Sequence, residues 1–210
     1  TVRQQFPEGF LWGASTASHQ VEGGNVGNDW WQAEMAGQVP HRSGDTCQHY
    51  QRFEADFDLA QSLGHNAHRF SVEWSRVEPQ EGQWDEAAFQ HYGEVIAALH
   101  ARGIEPILTL HHFTNPAWFA ARGGWADADS VGLFRRYVDQ VLTRFASHVR
   151  NWITINEPTV YVKRSYVAGS WPPCAKCQWH RAIRVLRNMC RAHREAYGVI
   201  HLRRPDAMVG

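Results

Sequence analysis

An amide beside a carboxyl at the end of an alternating run is the pair with most chemical reach in this sequence. Trp152-Ile-Thr-Ile-Asn-Glu-Pro158 has the β-branched alternation of a short strand over 151–155. Asn156 and Glu157 follow where that strand stops, and Pro158, which lacks an N–H, prevents it from continuing. Parallel α/β proteins place their chemistry at such strand ends. Polar residues also follow the other strands expected here: Gln20, Glu73 and His112 join Glu157 in that pattern.

The elements that must position these side chains alternate between two periods. Phe10–Ala14 reads as a first strand and Ser15–Gly24 as a loop carrying His19, Gln20 and Glu22. Residues 23–46, rich in Gly, Asn and Asp, read as a long surface excursion. Tyr50, Phe53, Phe57 and Ala60 recur at helical spacing up to Gly64. Ala67–Val72 is a second strand with Arg69 inside it. Phe89, Tyr92, Val95, Ile96 and Leu99 mark a helix stopped by Gly103. Ile107–Leu110 is a third strand and runs into His111-His112-Phe-Thr-Asn-Pro116. Val131, Phe134, Val138, Val141 and Phe145 mark another helix before the Asn-Glu-Pro strand. The loop Ser170–Cys174 precedes a long helix, and Ala207–Gly210 begins a fifth strand.

Strand-then-helix units in series imply a parallel sheet, either doubly wound or closed as a (β/α)8 barrel. No Gly-x-Gly-x-x-Gly follows the first strand, which removes support for a dinucleotide fold. Polar strand ends gathered at one mouth favour the barrel. The expected fold is therefore an incomplete α/β TIM barrel: four β/α units and the start of strand 5, as one domain over 1–210.

Composition narrows the partners. The 210 residues carry 21 basic and 21 acidic side chains, so bulk electrostatic attraction to nucleic acid is not expected. No apolar run approaches the roughly 18 residues of a membrane span. Thr1-Val-Arg-Gln-Gln5 does not read as a leader. The four Cys are too sparse for a disulfide scaffold, and a cytoplasmic setting fits them best.

The motifs then resemble a family. Phe6-Pro-Glu-Gly-Phe-Leu-Trp-Gly-Ala-Ser-Thr-Ala-Ser-His-Gln-Val-Glu-Gly23 is similar to the opening of the family 1 glycoside hydrolases, the β-glucosidase-like (β/α)8 enzymes. His68-Arg-Phe-Ser-Val-Glu-Trp-Ser-Arg76, Thr109-Leu-His-His-Phe113, Gly124-Trp125 and the Asn-Glu-Pro block follow in family order. The resemblance covers essentially the whole chain and only the front half of such an enzyme. It implies that Glu157 is the general acid/base, that Asn156 meets the sugar 2-hydroxyl, and that Gln20 and His112 bind glycone hydroxyls. It implies that Arg69 lies beside the nucleophile. It also implies a retaining mechanism through a covalent glycosyl-enzyme, with no metal and no cofactor. Phe113 stands in the substrate wall where many members have Trp, and Thr114-Asn115 replaces a common Asp-Leu.

Elementary chemistry asks for the same parts. A glycosidic oxygen leaves poorly unless a carboxylic acid protonates it. A second carboxylate, roughly 5–5.5 Å away, must attack the anomeric carbon, and a cation such as Arg69 would keep it ionised. An amide on the 2-hydroxyl gains strength in the oxocarbenium-like transition state. Gln and neutral His each donate and accept, as sugar hydroxyls do. In the family the second carboxylate comes from a Glu-Asn-Gly block on strand 7, and no such block occurs here. Glu73 occupies a structural position in its block and is not read as the replacement.

Two function classes follow: half of a retaining β-glycosidase acting on small β-glycosides or oligosaccharides, or a non-catalytic half-barrel that binds sugar or pairs with a C-terminal half. Open sheet edges also invite self-association. Cys174-x-x-Cys177 with His180 lacks a fourth ligand at zinc spacing and reads as a surface loop with free thiols. Arg181, Arg184, Arg187, Arg191 and Arg194 read as a solvated helix face.

Overall fold

The computed structural model describes residues 5–210; the first four residues, on which the leader reading largely falls, lie outside the described residues. Five parallel strands form one sheet in sequence order: β1 (Gly13–Ser15), β2 (Ala67–Ser71), β3 (Glu105–His111), β4 (Asn151–Ile155) and β5 (Met208–Val209). The register pairs Ala14 with His68, Arg69 with Ile107, Ile107 with Asn151 and Trp152 with Val209. A doubly wound sheet reverses its strand order part-way. This sheet never reverses, which is the winding of a barrel, here five strands of it.

Between the strands run the α-helices of the described residues: α1 (Ser18–Val21), α2 (Asp29–Met35), α3 (His49–Ser62), α4 (Trp74–Val77), α5 (Glu86–Ala101), α6 (Ala117–Ala121), α7 (Ser130–Phe145), α8 (Pro158–Val162) and α9 (Trp179–Arg203). The long ones start and stop where local chemistry requires. Asp85 caps α5 by accepting from the Ala88 N–H at 3.0 Å, which satisfies one of the donors a helix start leaves open. Gly64 and Gly103, both at positive φ, turn the chain back toward β2 and β3.

The first strand begins later than Phe10. Residues 10–12 are held instead around Asn66: its Nδ2 donates to the Phe10 carbonyl at 3.0 Å, its Oδ1 accepts the Trp12 N–H at 2.6 Å, and the Asn66 and Ala67 N–H groups donate to the Trp12 carbonyl at 2.9 and 3.1 Å. Beyond them, β1 runs so close to β2 that a Cβ at Gly13 would stand 2.0 Å from the Ala67 oxygen; only glycine fits there.

The second correction concerns residues 23–46, which are not a plain surface excursion. They contain α2, capped by Asn28, whose Oδ1 accepts the Trp31 N–H at 2.8 Å. Asn25, Asn28, Asp29 and Glu34 are all buried. Asp29 bonds Asn115 and Asn28 reaches Glu73 across the fold, while Glu34 is held by Ser43 and His19 and Asn25 by Glu22, so a polar stretch folds inward without leaving most of its groups bare.

The two faces of the sheet differ. Phe70, Leu108, Leu110 and Trp152 face the helices and are at most 4% exposed. The alternate residues Arg69, Ile107, Asn151 and Ile153 point to the inner face and are only half-buried. Period-two alternation assigns the rows; the missing half of the ring leaves the inner one open. On the outer side Trp74 stacks on Tyr137 with ring centroids 4.8 Å apart, and Trp125, Phe134 and Phe119 complete an aromatic core that is fully buried.

Candidate active site

Three strand ends contribute. After β1, helix α1 presents Gln20, which is exposed. Its neighbour His19 is buried and fixed at both ring nitrogens: Nε2 lies 3.0 Å from Glu34 Oε1, and Asn28 Nδ2 donates to Nδ1 at 3.0 Å. Glu34 is in turn held by the Ser43 N–H and hydroxyl. A four-residue helix has little stability of its own, so this network is what holds Gln20.

After β3, the chain turns through His112, Phe113 and Thr114. Phe113 has φ 72, a left-handed conformation costly for a side chain of its size. Thr114 donates to the Glu73 carboxylate, at 3.0 Å to the nearer oxygen. Glu73 is wholly buried and also accepts from Ser18 at 2.7 Å and Ser75 at 2.8 Å. Its oxygens tie the first, second and third strand ends together and do not line the cleft. Burial pushes His112 down to about 4, with the Arg69 charge adding to the effect; His111 also falls to about 4 through burial. Both rings are neutral at pH 7 and each keeps one donor and one acceptor.

After β4 come Asn156 and Glu157. Asn156 is buried, and its Oδ1 accepts from Arg69 Nη2 at 2.6 Å. Arg69 Nε donates to Thr109 at 2.8 Å, so the guanidinium is fixed across β2, β3 and β4. Burial lowers the Arg69 pKa and the charge of Glu157 opposes that shift, which puts the two within electrostatic reach. Glu157 itself is exposed, with φ 43, at the start of α8. A general acid needs its proton held by burial or by a neighbouring carboxylate, and the described residues do not bury Glu157.

Gln20, His112 and Phe113 line one cleft, together with His19, Thr114, Trp30 and Trp171. Its aromatic wall is continuous: Trp171 lies 5.4 Å from Trp30 and 4.7 Å from Phe113, centroid to centroid. Such a wall suits the apolar faces of a sugar ring, and Gln20 and His112 offer the hydroxyl partners. The sequence reading missed Trp30 and Trp171. Neither belongs to a periodic apolar pattern, and only the fold brings them together. Cys174 and Cys177 follow Trp171 in its loop as free thiols, and no group of three metal-binding side chains occurs among the described residues.

The model of glycosyl hydrolase family 1 matches residues 2–210. The chain belongs to that family. Beta-glucosidase A of Thermotoga maritima is 34% identical over 99% of this chain and 48% of its own length. Among solved structures, a beta-glycosidase from Pyrococcus horikoshii superposes with a TM-score of 0.92 at 42% identity, over 98% of this chain and 47% of that one. The Thermotoga maritima beta-glucosidase in complex with deoxynojirimycin gives 0.93 at 32% identity, over 98% of this chain and 49% of that one. The chain thus spans about half the length of the relatives it matches, the N-terminal half of the family 1 barrel. No helix among the described residues is long and apolar enough to cross a membrane.

Proposed function

We propose that this chain, residues 1–210, is the N-terminal half-barrel of a retaining β-glycosidase of the β-glucosidase type. The observation that carries the reading is the Arg69–Asn156 hydrogen bond of 2.6 Å directly beside Glu157, with the cleft of Gln20 and His112 on the neighbouring strand ends. In the double displacement, Glu157 protonates the departing oxygen and then deprotonates the incoming water. Asn156 holds the 2-hydroxyl. Gln20, His112 and the ring of Phe113 bind the glycone, and Arg69 keeps the attacking carboxylate ionised. That carboxylate belongs to the other half, so the chain alone turns over no aryl glucoside. The substrate is a small β-glycoside or oligosaccharide, the reaction needs no metal or cofactor, and a reducing cytoplasm suits the four free thiols.

The test joins this chain to a C-terminal half, from its own reading frame or from a relative. Hydrolysis of an alkyl β-glucoside is expected to proceed with retention of configuration. Glu157→Gln is expected to lower kcat/KM about 10²–10⁴-fold, and to lower kcat/KM for a dinitrophenyl glucoside far less, because that leaving group needs no proton; kcat falls for both, since the water step loses its base. Equal losses of kcat/KM on both substrates would remove Glu157 from the acid role. Turnover by the 210-residue chain alone, abolished by the same substitution, would overturn the half-site reading.

A further inference from the structure

A single buried amide reaches all three of the strand-end segments just described. Asn115 is 1% exposed and follows Thr114. Its N–H donates to Asp29 Oδ1 at 2.9 Å and its Nδ2 to Asp29 Oδ2 at 2.8 Å. The Asp29 N–H donates back to the Asn115 carbonyl at 2.9 Å, and the Ala117 N–H to the Gly27 carbonyl at 2.9 Å. Nδ2 also lies 3.1 Å from the Tyr161 hydroxyl, and Oδ1 lies 3.1 Å from His111 Nε2. Asp29, His111 and Tyr161 are all buried.

Each of these partners is coupled to a different wall of the site. Asp29 opens α2 and is followed by Trp30. His111 precedes His112, and its carbonyl accepts the Asn156 N–H at 2.9 Å. Tyr161 stands one helical turn after Glu157, whose carbonyl accepts the Tyr161 N–H at 3.0 Å. We propose that Asn115, through its paired hydrogen bonds to Asp29, is a positioning residue that fixes Trp30, His112 and Glu157 relative to one another; this rests on the sugar-site reading above. A leucine at this place would fill the volume and make none of the side-chain bonds. A deeply buried carboxylate facing that leucine would lose the amide donor that Nδ2 supplies. The Asp29–Asn115 pair is therefore one device, and neither half works without the other.

The pairing can be exchanged. In the double variant Asp29→Asn/Asn115→Asp, the amide and the carboxylate swap sides. The residue 115 N–H still finds an oxygen on residue 29, the new amide donates to the new carboxylate, and the Tyr161 hydroxyl can donate to it; His111 Nε2 accepts the Trp125 indole N–H at 3.2 Å and supplies no donor. Each single variant breaks the match: two amide N–H groups meet in Asp29→Asn, and in Asn115→Asp two carboxyl groups meet that must share one proton. Two measurements on the full chain then decide. Amide exchange reports the order of 27–30, 112–117 and 156–161. Titration with deoxynojirimycin, the compound found in the Thermotoga maritima structure, on the chain joined to a C-terminal half as above, reports the site.

The expected result is that Asn115→Leu and both singles speed exchange in those three segments, leave α5 and β2 protected, and weaken deoxynojirimycin roughly tenfold or more. The swap is expected to restore both to near the parent. Singles indistinguishable from the parent, or a swap worse than either single, would overturn the proposal. So would exchange that rises uniformly across the chain, which is the mark of lost stability alone. If Asn115→Leu does not fold, the singles and the swap still separate these outcomes. A parent chain that, joined to a C-terminal half, binds no deoxynojirimycin would count against the sugar-site reading, while the exchange data would still decide whether Asn115 holds the three segments.

Discussion

Two side chains at strand ends sit in left-handed backbone, Phe113 at φ 72 and Glu157 at φ 43, at a cost of about 1–2 kcal/mol each. They differ in what offsets the strain. Phe113 is 9% exposed and packs on Trp171, so its ring more than compensates for its backbone. Glu157 is exposed and gains no such packing. Strain without packing at a strand end fits the acid role proposed for Glu157. Glycine at 157 is therefore expected to stabilise the chain relative to Glu157→Gln, by up to about 1 kcal/mol once the freer unfolded chain is counted, while both lose the acid. Urea unfolding of the two variants measures the difference; a glutamine variant as stable as the glycine one would mean the backbone at 157 is relaxed.

At the scale of elements, the sheet has two open edges and one open face. β1 and β5 carry unpaired backbone groups, and the inner row of Ile107 and Ile153 is only half-covered. Beside β1, Phe6, Phe10 and Trp12 form an exposed cluster with centroids 4.6–4.8 Å apart. On α9, Trp179, Ile183 and Tyr197 are exposed as well. Open edges flanked by apolar surface pair with other chains. Sedimentation over a range of concentrations is expected to show the isolated chain associating, and addition of a C-terminal half to suppress that. A monomer at every concentration, melting cooperatively, would show that the edges are protected.

The whole molecule stores its pH dependence in buried groups of opposite sign. Burial holds His68, His91, His111 and His112 at about 4. Burial also lifts Glu22 and Asp29 to about 7, against the pull of Arg76 on the first and of the Asn115 hydrogen bonds on the second. The unfolded chain protonates its imidazoles below about 6.5 and the folded one does not, so they make stability fall as pH drops from about 6.5 toward 4. The carboxyls act the other way: folded, they keep protons that the unfolded chain has lost, so they make stability fall as pH rises from about 4 to 7. Four imidazoles outweigh two carboxyls. Denaturant midpoints are expected to rise from about pH 4.5 to 6.5, with unfolding taking up about two protons, then to level or dip toward pH 7. A midpoint that falls steadily across the lower interval would mean that the imidazoles are charged in the fold.

Much of this protein follows from local pattern. The strand 151–155, the helices ended by Gly64 and Gly103, and the Asn156-Glu157 pair are legible because a strand's period, a glycine's freedom and a proline's missing N–H act within a few residues. The motif order added the family and the half-length. Other features needed the fold in three dimensions. Residues 23–46 read as surface because they are polar; their burial depends on partners such as His19, Arg76 and Asn115 arriving from elsewhere. Trp30 and Trp171 became one wall, and Asn115 a junction, through contacts between residues 46 to 141 positions apart. Hydrogen bonding at such separations leaves no periodic trace in a chain, so the sequence alone identifies the groups that could react, and the packing of the strand ends decides what holds them.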